Sequence, residues 1–255
     1  MNAYDRVQAA RAKGRPTAKA YIERLIEGFI ELHGDRRYGD DPAVIGGLGY
    51  LGGRPVTVIG IEKGVDTQDK VRRNFGSAHP EGYRKALRLM DQAEKFARPV
   101  LCLVDTSGAF CGIGAEERGQ GQAIAENLTR MMALKAPVIS VVIGEGGSGG
   151  ALALAVADQV WMLENAYYSV ISPEGAASIL WKDAGKAAQA AMCLKLTAQD
   201  LIGLEVIERV VPEDDPFGFL SAQLPQAFEQ LSAMAVESLL EQRYQKFRKI
   251  GGLSA

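Results

Sequence analysis

Histidine and cysteine are scarce in this sequence of 255 residues, and the scarcity excludes several kinds of site. There are two histidines, so chemistry that depends on a histidine base has few candidates. The three cysteines, Cys102, Cys111 and Cys193, are odd in number and form no C-x-x-C pair, which argues against a disulfide framework and against a cysteine-built zinc site. We therefore expect no metal site in this chain and interpret the three cysteines as buried free thiols.

Long apolar runs and a large excess of charge of one sign are also missing. No apolar run approaches the roughly 18 residues of a membrane-spanning helix, and residues 1–13 are polar. We therefore expect a cytoplasmic protein with neither signal peptide nor membrane anchor. The formal net charge is −2, so no overall field would attract nucleic acid or an anionic membrane. Any recognition of anions must be local.

The hydrophobic periodicity predicts one α/β domain over residues 1–255, a length that a single core can still serve. An amphipathic pattern predicts an N-terminal helix over residues 17–33, and Gly52-Gly53 separates two strands as a hairpin. Apolar strands at 100–104 and 138–143 then alternate with helical segments, and a C-terminal helix is expected over about residues 219–249. We expect stacked β-β-α units whose helices cover the sheet.

Seven residues, Gly144-Glu145-Gly146-Gly147-Ser148-Gly149-Gly150, stand between a predicted strand and a predicted helix over residues 151–157. The string contains the dinucleotide-binding pattern G-x-G-x-x-G. Against that interpretation, the string belongs to the third strand–helix unit instead of the first, and Glu145 would place a carboxylate beside a pyrophosphate.

The same string contains G-x-S-x-G, the nucleophile elbow of α/β-hydrolases, with Ser148 as the nucleophile. In that fold the catalytic histidine follows the serine in the sequence, whereas His33 and His79 both precede Ser148. A serine hydrolase would therefore need a different base.

A third interpretation uses the backbone alone. Glycines at a strand-to-helix turn let backbone N–H groups face a ligand, and the start of a helix adds partial positive charge for an oxyanion. The alternative is that these glycines only allow a helix to pack closely on the sheet. A second candidate loop, residues 105–112, leaves the end of the preceding strand, and the two loops are expected to face one pocket.

Six strings carry a resemblance to a known family over about residues 34–212. They are RRNFG at 72–76, HPEGYRKALRLM at 79–90, DTSGAFCG at 105–112, GAEERGQ at 114–120, GEGGSGG at 144–150 and SPEG at 172–175. Together they resemble the acetyl-CoA carboxylase carboxyltransferase alpha family. The resemblance implies a crotonase-like fold and transfer of a carboxyl group from carboxybiotin to acetyl-CoA, which forms malonyl-CoA for fatty acid biosynthesis.

The resemblance also implies the partners and the cofactors. Family members pair with a zinc-bearing beta subunit in an α2β2 heterotetramer, within an ATP-dependent complex that includes biotin carboxylase. The biotin is carried by a separate biotin carboxyl carrier protein, and zinc is expected only in the beta partner. The ureido nitrogen of biotin takes the proton from the acetyl-CoA methyl group, so the chain needs no side-chain base.

Carried onto this sequence, the resemblance implies that Gly146 and Gly147 are the biotin-side backbone donors, with Gly108 and Ala109 as a second pair. Further expected substrate-binding residues are Ser148, Gly149, Arg72 and Arg73. The two arginines belong to a basic stretch, residues 63–88, that either attracts CoA phosphates or the carrier protein, or forms a solvated face of ion pairs.

The sequence departs from the family pattern in the loop at residues 105–112. Family members commonly have proline where this chain has Ser107 and Cys111, and tyrosine where it has Phe110. This departure suggests one other function, a scaffold without catalysis. A self-sufficient crotonase-like acyl-CoA hydratase or hydrolase is a separate alternative.

Overall fold

A mixed eight-stranded sheet forms the centre of the protein, whose computed structural model describes residues 1–252. In chain order the strands are β1 Glu27–Glu31, β2 Val44–Leu51, β3 Arg54–Ile61, β4 Val100–Thr106, β5 Val138–Gly147, β6 Gln159–Leu163, β7 Tyr167–Ser169 and β8 Arg209–Val211. Their spatial order is β1-β2-β3-β4-β5-β6-β8, and β7 pairs with the end of β5. The pairs β1–β2 and β2–β3 are antiparallel, and every later pair is parallel. The parallel strands β4 and β5 are buried along their whole length.

Helices cover this sheet. In chain order they are α1 Ala3–Ala10, α2 Ala18–Leu25, α3 Thr67–Arg72, α4 Pro80–Lys95, α5 Ile113–Glu117, α6 Gln120–Ala133, α7 Ser148–Leu152, α8 Pro173–Trp181, α9 Ala187–Leu194, α10 Ala198–Gly203, α11 Pro216–Ser232 and α12 Val236–Lys249. Short 3₁₀ turns occupy Asn74–Gly76 and Ala184–Lys186. The longest amphipathic helix before the site, α4, buries Ala86, Leu89 and Met90 against the sheet. In the part of the chain described, no helix combines the length and the apolar character needed to cross a membrane.

The predicted hairpin is confirmed, with Leu51 opposite Arg54 across Gly52-Gly53. Both glycines have positive φ, +55° and +78°, the backbone region that a tight two-residue turn requires.

The predicted N-terminal helix over residues 17–33 is wrong beyond Leu25. The chain leaves the helix at Ile26, which is extended, and Gly28 has a φ of +60° that a helix does not accept. Residues 27–31 instead pair with the open edge of β2. A capped helix, α1, precedes them and was not expected; Asn2 and Asp5 form its capping box.

The expected C-terminal helix over residues 219–249 is instead two helices, because the helix is interrupted at residues 233–235, where Ala235 is extended. The prediction of one domain over residues 1–255 includes residues 253–255, which lie outside the described residues. The prediction of buried thiols is right for Cys102 and wrong for Cys111 and Cys193, which are exposed.

Candidate active site

Two segments meet at the carboxyl ends of β4 and β5, as expected for the two loops. A Cβ atom on Gly147 would lie 2.1 Å from the Ser107 carbonyl oxygen, and one on Gly150 would lie 2.5 Å from the Ala109 nitrogen. No larger residue allows these approaches without movement of the backbone. Close packing is therefore one role of these two glycines.

The first part of the glycine string is strand instead of loop. Strand β5 continues to Gly147, with Gly146 opposite both Thr106 of β4 and Tyr168 of β7, and Gly147 opposite Ser169. Because strand peptide groups are directed at the neighbouring strands, Gly146 occupies a sheet position and not the open turn that was expected. The expected helix over residues 151–157 is also corrected: α7 begins at Ser148 and ends at Leu152.

The turn from strand to helix falls on Ser148, which is exposed and has a φ of +53°. The residues after it, Gly149 and Gly150, have negative φ and form the first turn of α7. First-turn amides have no acceptor within their own helix. Among residues 1–252, no group outside α7 accepts a hydrogen bond from the amides of Gly149 and Gly150. The amides of Gly149 and Gly150 are therefore available as hydrogen-bond donors at this turn.

The amides of the second expected donor pair, Gly108 and Ala109, have different surroundings. Gly108 has a φ of +150°, and its amide donates a hydrogen bond of 3.0 Å to the Thr106 hydroxyl oxygen. That hydroxyl in turn donates to the Gly108 carbonyl oxygen at 2.8 Å. The Gly108 amide is therefore already used, because a threonine two residues earlier satisfies the backbone of the turn. The Ala109 amide lies against Gly150 instead.

An apolar cavity of about 480 Å³ adjoins the start of α7. Three of its lining residues are Ser148, Gly149 and Ser169, and the others are Leu152, Ala155, Val160, Tyr168, Val170, Leu201, Val206, Phe247 and Ile250. A mostly apolar pocket with a few polar groups is the usual form of a small-molecule site. The contribution of Phe247 and Ile250, from the end of α12 and the residue after it, carried no signal in the sequence.

The structure does not bring Arg72 and Arg73 to this cavity. Both pair with the Asp69 carboxylate, at 2.8 Å and 2.9 Å, and Arg73 is buried. The interpretation of this stretch as a solvated face of ion pairs therefore fits Arg72, which is exposed, whereas Arg73 forms its ion pair in a buried position.

A cluster of buried charges lies beside the same two strand ends and lines a second cavity of about 510 Å³. The Lys63 ammonium lies 2.8 Å from Asp105 Oδ1 and 2.6 Å from Glu145 Oε1. Burial alone would raise the pKa of Glu145, but the Lys63 charge and hydrogen bonds from Lys63, Tyr167 and Arg11 outweigh it and lower that pKa to about 2. Burial likewise opposes the charge on Lys63, and the two carboxylates outweigh it and raise the Lys63 pKa. Within residues 1–252, histidine, cysteine and acidic side chains form no group of three that could hold a metal ion.

The chain matches over residues 1–251 the family described as acetyl co-enzyme A carboxylase carboxyltransferase-like. The chain belongs to this family. Its relatives include the acetyl-coenzyme A carboxylase carboxyl transferase subunit alpha of Ruminiclostridium cellulolyticum, 60% identical over 98% of each chain. The subunit alpha of Streptococcus equi subsp. zooepidemicus is 56% identical over 95% of this chain and 97% of that protein. A protein of Natranaerobius thermophilus named as subunits beta/alpha is 56% identical over 98% of this chain and 43% of its own length.

Solved structures with the same fold include a transcarboxylase, a carboxylase subunit and a decarboxylase. Transcarboxylase 12S with methylmalonyl-coenzyme A bound has a TM-score of 0.71 at 18% identity, over 85% of this chain and 42% of that chain. The beta subunit of P. aeruginosa geranyl-CoA carboxylase has a TM-score of 0.67 at 16% identity, over 95% and 46%. A Pseudomonas malonate decarboxylase hetero-tetramer in complex with coenzyme A has a TM-score of 0.66 at 19% identity, over 81% and 86%. The crotonase-type α/β fold is confirmed.

Proposed function

We propose that this chain is the alpha subunit of a carboxyltransferase that moves a carboxyl group from carboxybiotin to acetyl-CoA, and that the amides of Gly149 and Gly150 are its oxyanion donors. The observation that carries the proposal is the first turn of α7: the amides of Gly149 and Gly150 have no acceptor within residues 1–252, and Gly149 lines an apolar cavity. Family membership over nearly the whole chain supports the reaction.

In the proposed reaction the bond between the carboxyl group and the ureido nitrogen of biotin breaks, and that nitrogen takes a proton from the methyl group of acetyl-CoA. A carbon–carbon bond then forms between the methyl carbon and the carboxyl group, which gives malonyl-CoA. Negative charge develops on the ureido oxygen and on the thioester oxygen, so the chain has to supply fixed hydrogen-bond donors. One such donor is typically worth about 3 kcal/mol of transition-state stabilisation.

The proposal includes a zinc-bearing beta subunit in an α2β2 assembly, with biotin carboxyl carrier protein and biotin carboxylase in one ATP-dependent complex for fatty acid biosynthesis in the cytoplasm. The fused beta/alpha relative supports the beta partner. So do exposed apolar side chains near α8 and α9, where a small alanine cluster is separate from the main core. These side chains are Val170, Ile179, Leu180 and Met192. In this proposal biotin is bound covalently to the carrier and not to this chain.

Reconstitution tests the function. The purified chain, a beta subunit of the family and biotinylated carrier protein are mixed with acetyl-CoA and a carboxybiotin source, and malonyl-CoA is measured. We expect product only when both subunits are present. Absence of product with a beta subunit that is active with another alpha subunit would contradict the proposal, and would favour a scaffold without catalysis.

A hydrolase or hydratase that acts alone is the second candidate, and one feature favours it: Ser148 occupies a left-handed position between a strand and a helix, as a nucleophile elbow requires. Both histidines are engaged elsewhere, His33 with Asp40 and His79 against Phe110 and Arg118. We therefore expect Ser148→Ala to retain carboxyl transfer. Turnover of acyl-CoA by the chain alone that Ser148→Ala abolishes would establish the hydrolase instead.

A further inference from the structure

A closed ring of three charged residues joins the ends of β4 and β5. The Lys63 ammonium bonds both Asp105 Oδ1 and Glu145 Oε1, at 2.8 Å and 2.6 Å. The Glu145 backbone amide completes the ring with a hydrogen bond of 2.8 Å to the same Asp105 Oδ1. A Cβ on Gly144 would lie 2.4 Å from Asp105 Oδ1, so glycine at this position lets the carboxylate approach β5.

The ring is shielded from water and its charge is balanced by its neighbours. The side chains of Lys63, Asp105 and Glu145 are 16%, 7% and 9% exposed. On its outer side Glu145 Oε2 accepts hydrogen bonds from Arg11 Nε at 2.7 Å and from the Tyr167 hydroxyl at 2.6 Å. Two cations thus face two carboxylates in a setting where charges interact more strongly than in water. On the side of Asp105, the Tyr21 hydroxyl experiences the charge of Asp105 together with the charges of Arg15 and Glu213. On the side of Glu145, Arg11 also pairs with Glu174 at 2.8 Å.

The position of the ring relates it to the candidate active site. Asp105 stands two residues before Ser107, and Glu145 stands two residues before Gly147. Ser107 and Gly147 form one of the close approaches between the two active-site segments, and Gly150 with Ala109 forms another. A change in the separation of the two strand ends would therefore change how the Ala109 amide faces the first turn of α7.

We propose that Lys63 is a positioning residue for carboxyl transfer, because it holds the ends of β4 and β5 at the separation at which the Ala109 amide and the first-turn amides of α7 face the same ligand. This inference rests on the proposed function. Lys63 acts through the two carboxylates and has no contact with the reacting atoms.

Replacement of Lys63 by methionine tests the proposal through the pH profile. In Lys63→Met the Asp105 and Glu145 carboxylates face each other without the ammonium, so their mutual repulsion raises the pKa of one of them. Above that raised pKa both are ionised and the strand ends separate; below it one carboxyl is protonated and hydrogen-bonds the other. We therefore expect kcat of Lys63→Met to be at least tenfold below the wild type at pH 8 and to recover as the pH falls, with little change in KM.

The double variant Lys63→Met/Glu145→Gln restores the net charge of the wild-type ring, because Asp105 is then its one charged member. Its amide N–H₂ donates to Asp105 at every pH, so we expect kcat to recover and to lose the pH dependence of the single variant. Lys19→Met, which removes an exposed lysine of α2 outside the ring, controls for the loss of one positive charge. All variants are assayed as complexes with the beta subunit, and their unfolding midpoints are measured.

Three outcomes decide the matter. An unchanged kcat in Lys63→Met overturns the positioning role. A loss of kcat that is equal at all pH values, and that the double variant does not restore, also overturns the positioning role, because Lys63 would then not act through the charges of Asp105 and Glu145. If the wild-type complex itself makes no malonyl-CoA, the proposed function fails, and that result is separate from any variant.

Discussion

Replacement of Gly150 by alanine perturbs the junction between the two active-site segments with a single methyl group. That methyl would lie 2.5 Å from the Ala109 nitrogen, 2.8 Å from the Gly108 carbonyl carbon and 2.9 Å from the Tyr83 hydroxyl oxygen. Ordinary contacts between heavy atoms are about 3.5–4.0 Å, so the two segments must separate by about 1 Å. We expect a loss of about 1–3 kcal/mol in the free energy of unfolding, typical of overpacking.

The effect on turnover should exceed the effect on stability. A displacement of about 1 Å at a reacting centre can cost about a hundredfold in rate, so we expect kcat for malonyl-CoA formation to fall at least tenfold. Gly121→Ala is the matched control, because Gly121 also lies in the first turn of a helix and a methyl group there meets no atom within 4 Å. The assays are initial rates of the reconstituted complex and urea denaturation of the chain. Equal rates and stabilities for the two alanine variants would refute the proposed close approach.

Three further predictions concern stability. Arg243→Met removes both hydrogen bonds of 2.8 Å to Asp158 and leaves that buried carboxylate unpaired, so urea denaturation should show a loss of about 3–5 kcal/mol; a loss within error would contradict this. The pKa of Glu145 is lowered to about 2, so its contribution to the free energy of unfolding is complete above pH 4.5 and disappears as the pH falls through 2. Glu145→Gln should therefore lose less stability than the wild type across that pH range, in an acid titration followed by circular dichroism. Tyr167→Phe loses a hydrogen bond to a charged group and should lower the free energy of unfolding by about 1.5–3 kcal/mol. Tyr83→Phe removes a buried hydroxyl that has no partner within residues 1–252, so it should be neutral or stabilising. Thermal melts that reverse this order would contradict both assignments.

The sequence is a reliable guide where local periodicity and turn chemistry agree. The hairpin of β2 and β3 has alternating apolar residues and two glycines at its turn, and α4 combines a helical repeat with Pro80 in its first turn. Both elements form where the patterns predict them. The two active-site segments also meet as expected, because parallel strands end at the same edge of the sheet.

Errors arise where a neighbouring strand outweighs local preference. Residues 26–30 satisfy the helical repeat, yet Gly28 breaks the helix and the open edge of β2 takes residues 27–31 as a strand. Gly146 and Gly147 have the composition of a turn, but pairing with β4 and β7 keeps them in β5, and the turn falls on Ser148. Tertiary pairing decides such segments, and a single sequence does not contain it in readable form.

The charged ring was missed although part of its signal is visible. Asp105 and Glu145 are acidic residues at the ends of otherwise apolar strands, and a buried carboxylate requires a cation nearby. Lys63, which follows the adjacent strand β3, is the residue that could have been predicted as this cation. The wall formed by Phe247 and Ile250 had no comparable signal, because it depends on how α12 returns to the sheet.

The most direct test of the proposed mechanism is an ester bond in place of the peptide bond between Ser148 and Gly149, introduced by nonsense suppression with an α-hydroxy acid. The ester removes the amide N–H and leaves the backbone shape unchanged. An ester before Gly121 removes another first-turn amide, at a residue that does not line the cavity, and serves as the control. Relative to that control, the ester before Gly149 should lower kcat for malonyl-CoA formation by about 10²–10³-fold, the usual effect of losing one oxyanion donor. Equal rates in the two ester variants would contradict the assignment of this amide to catalysis.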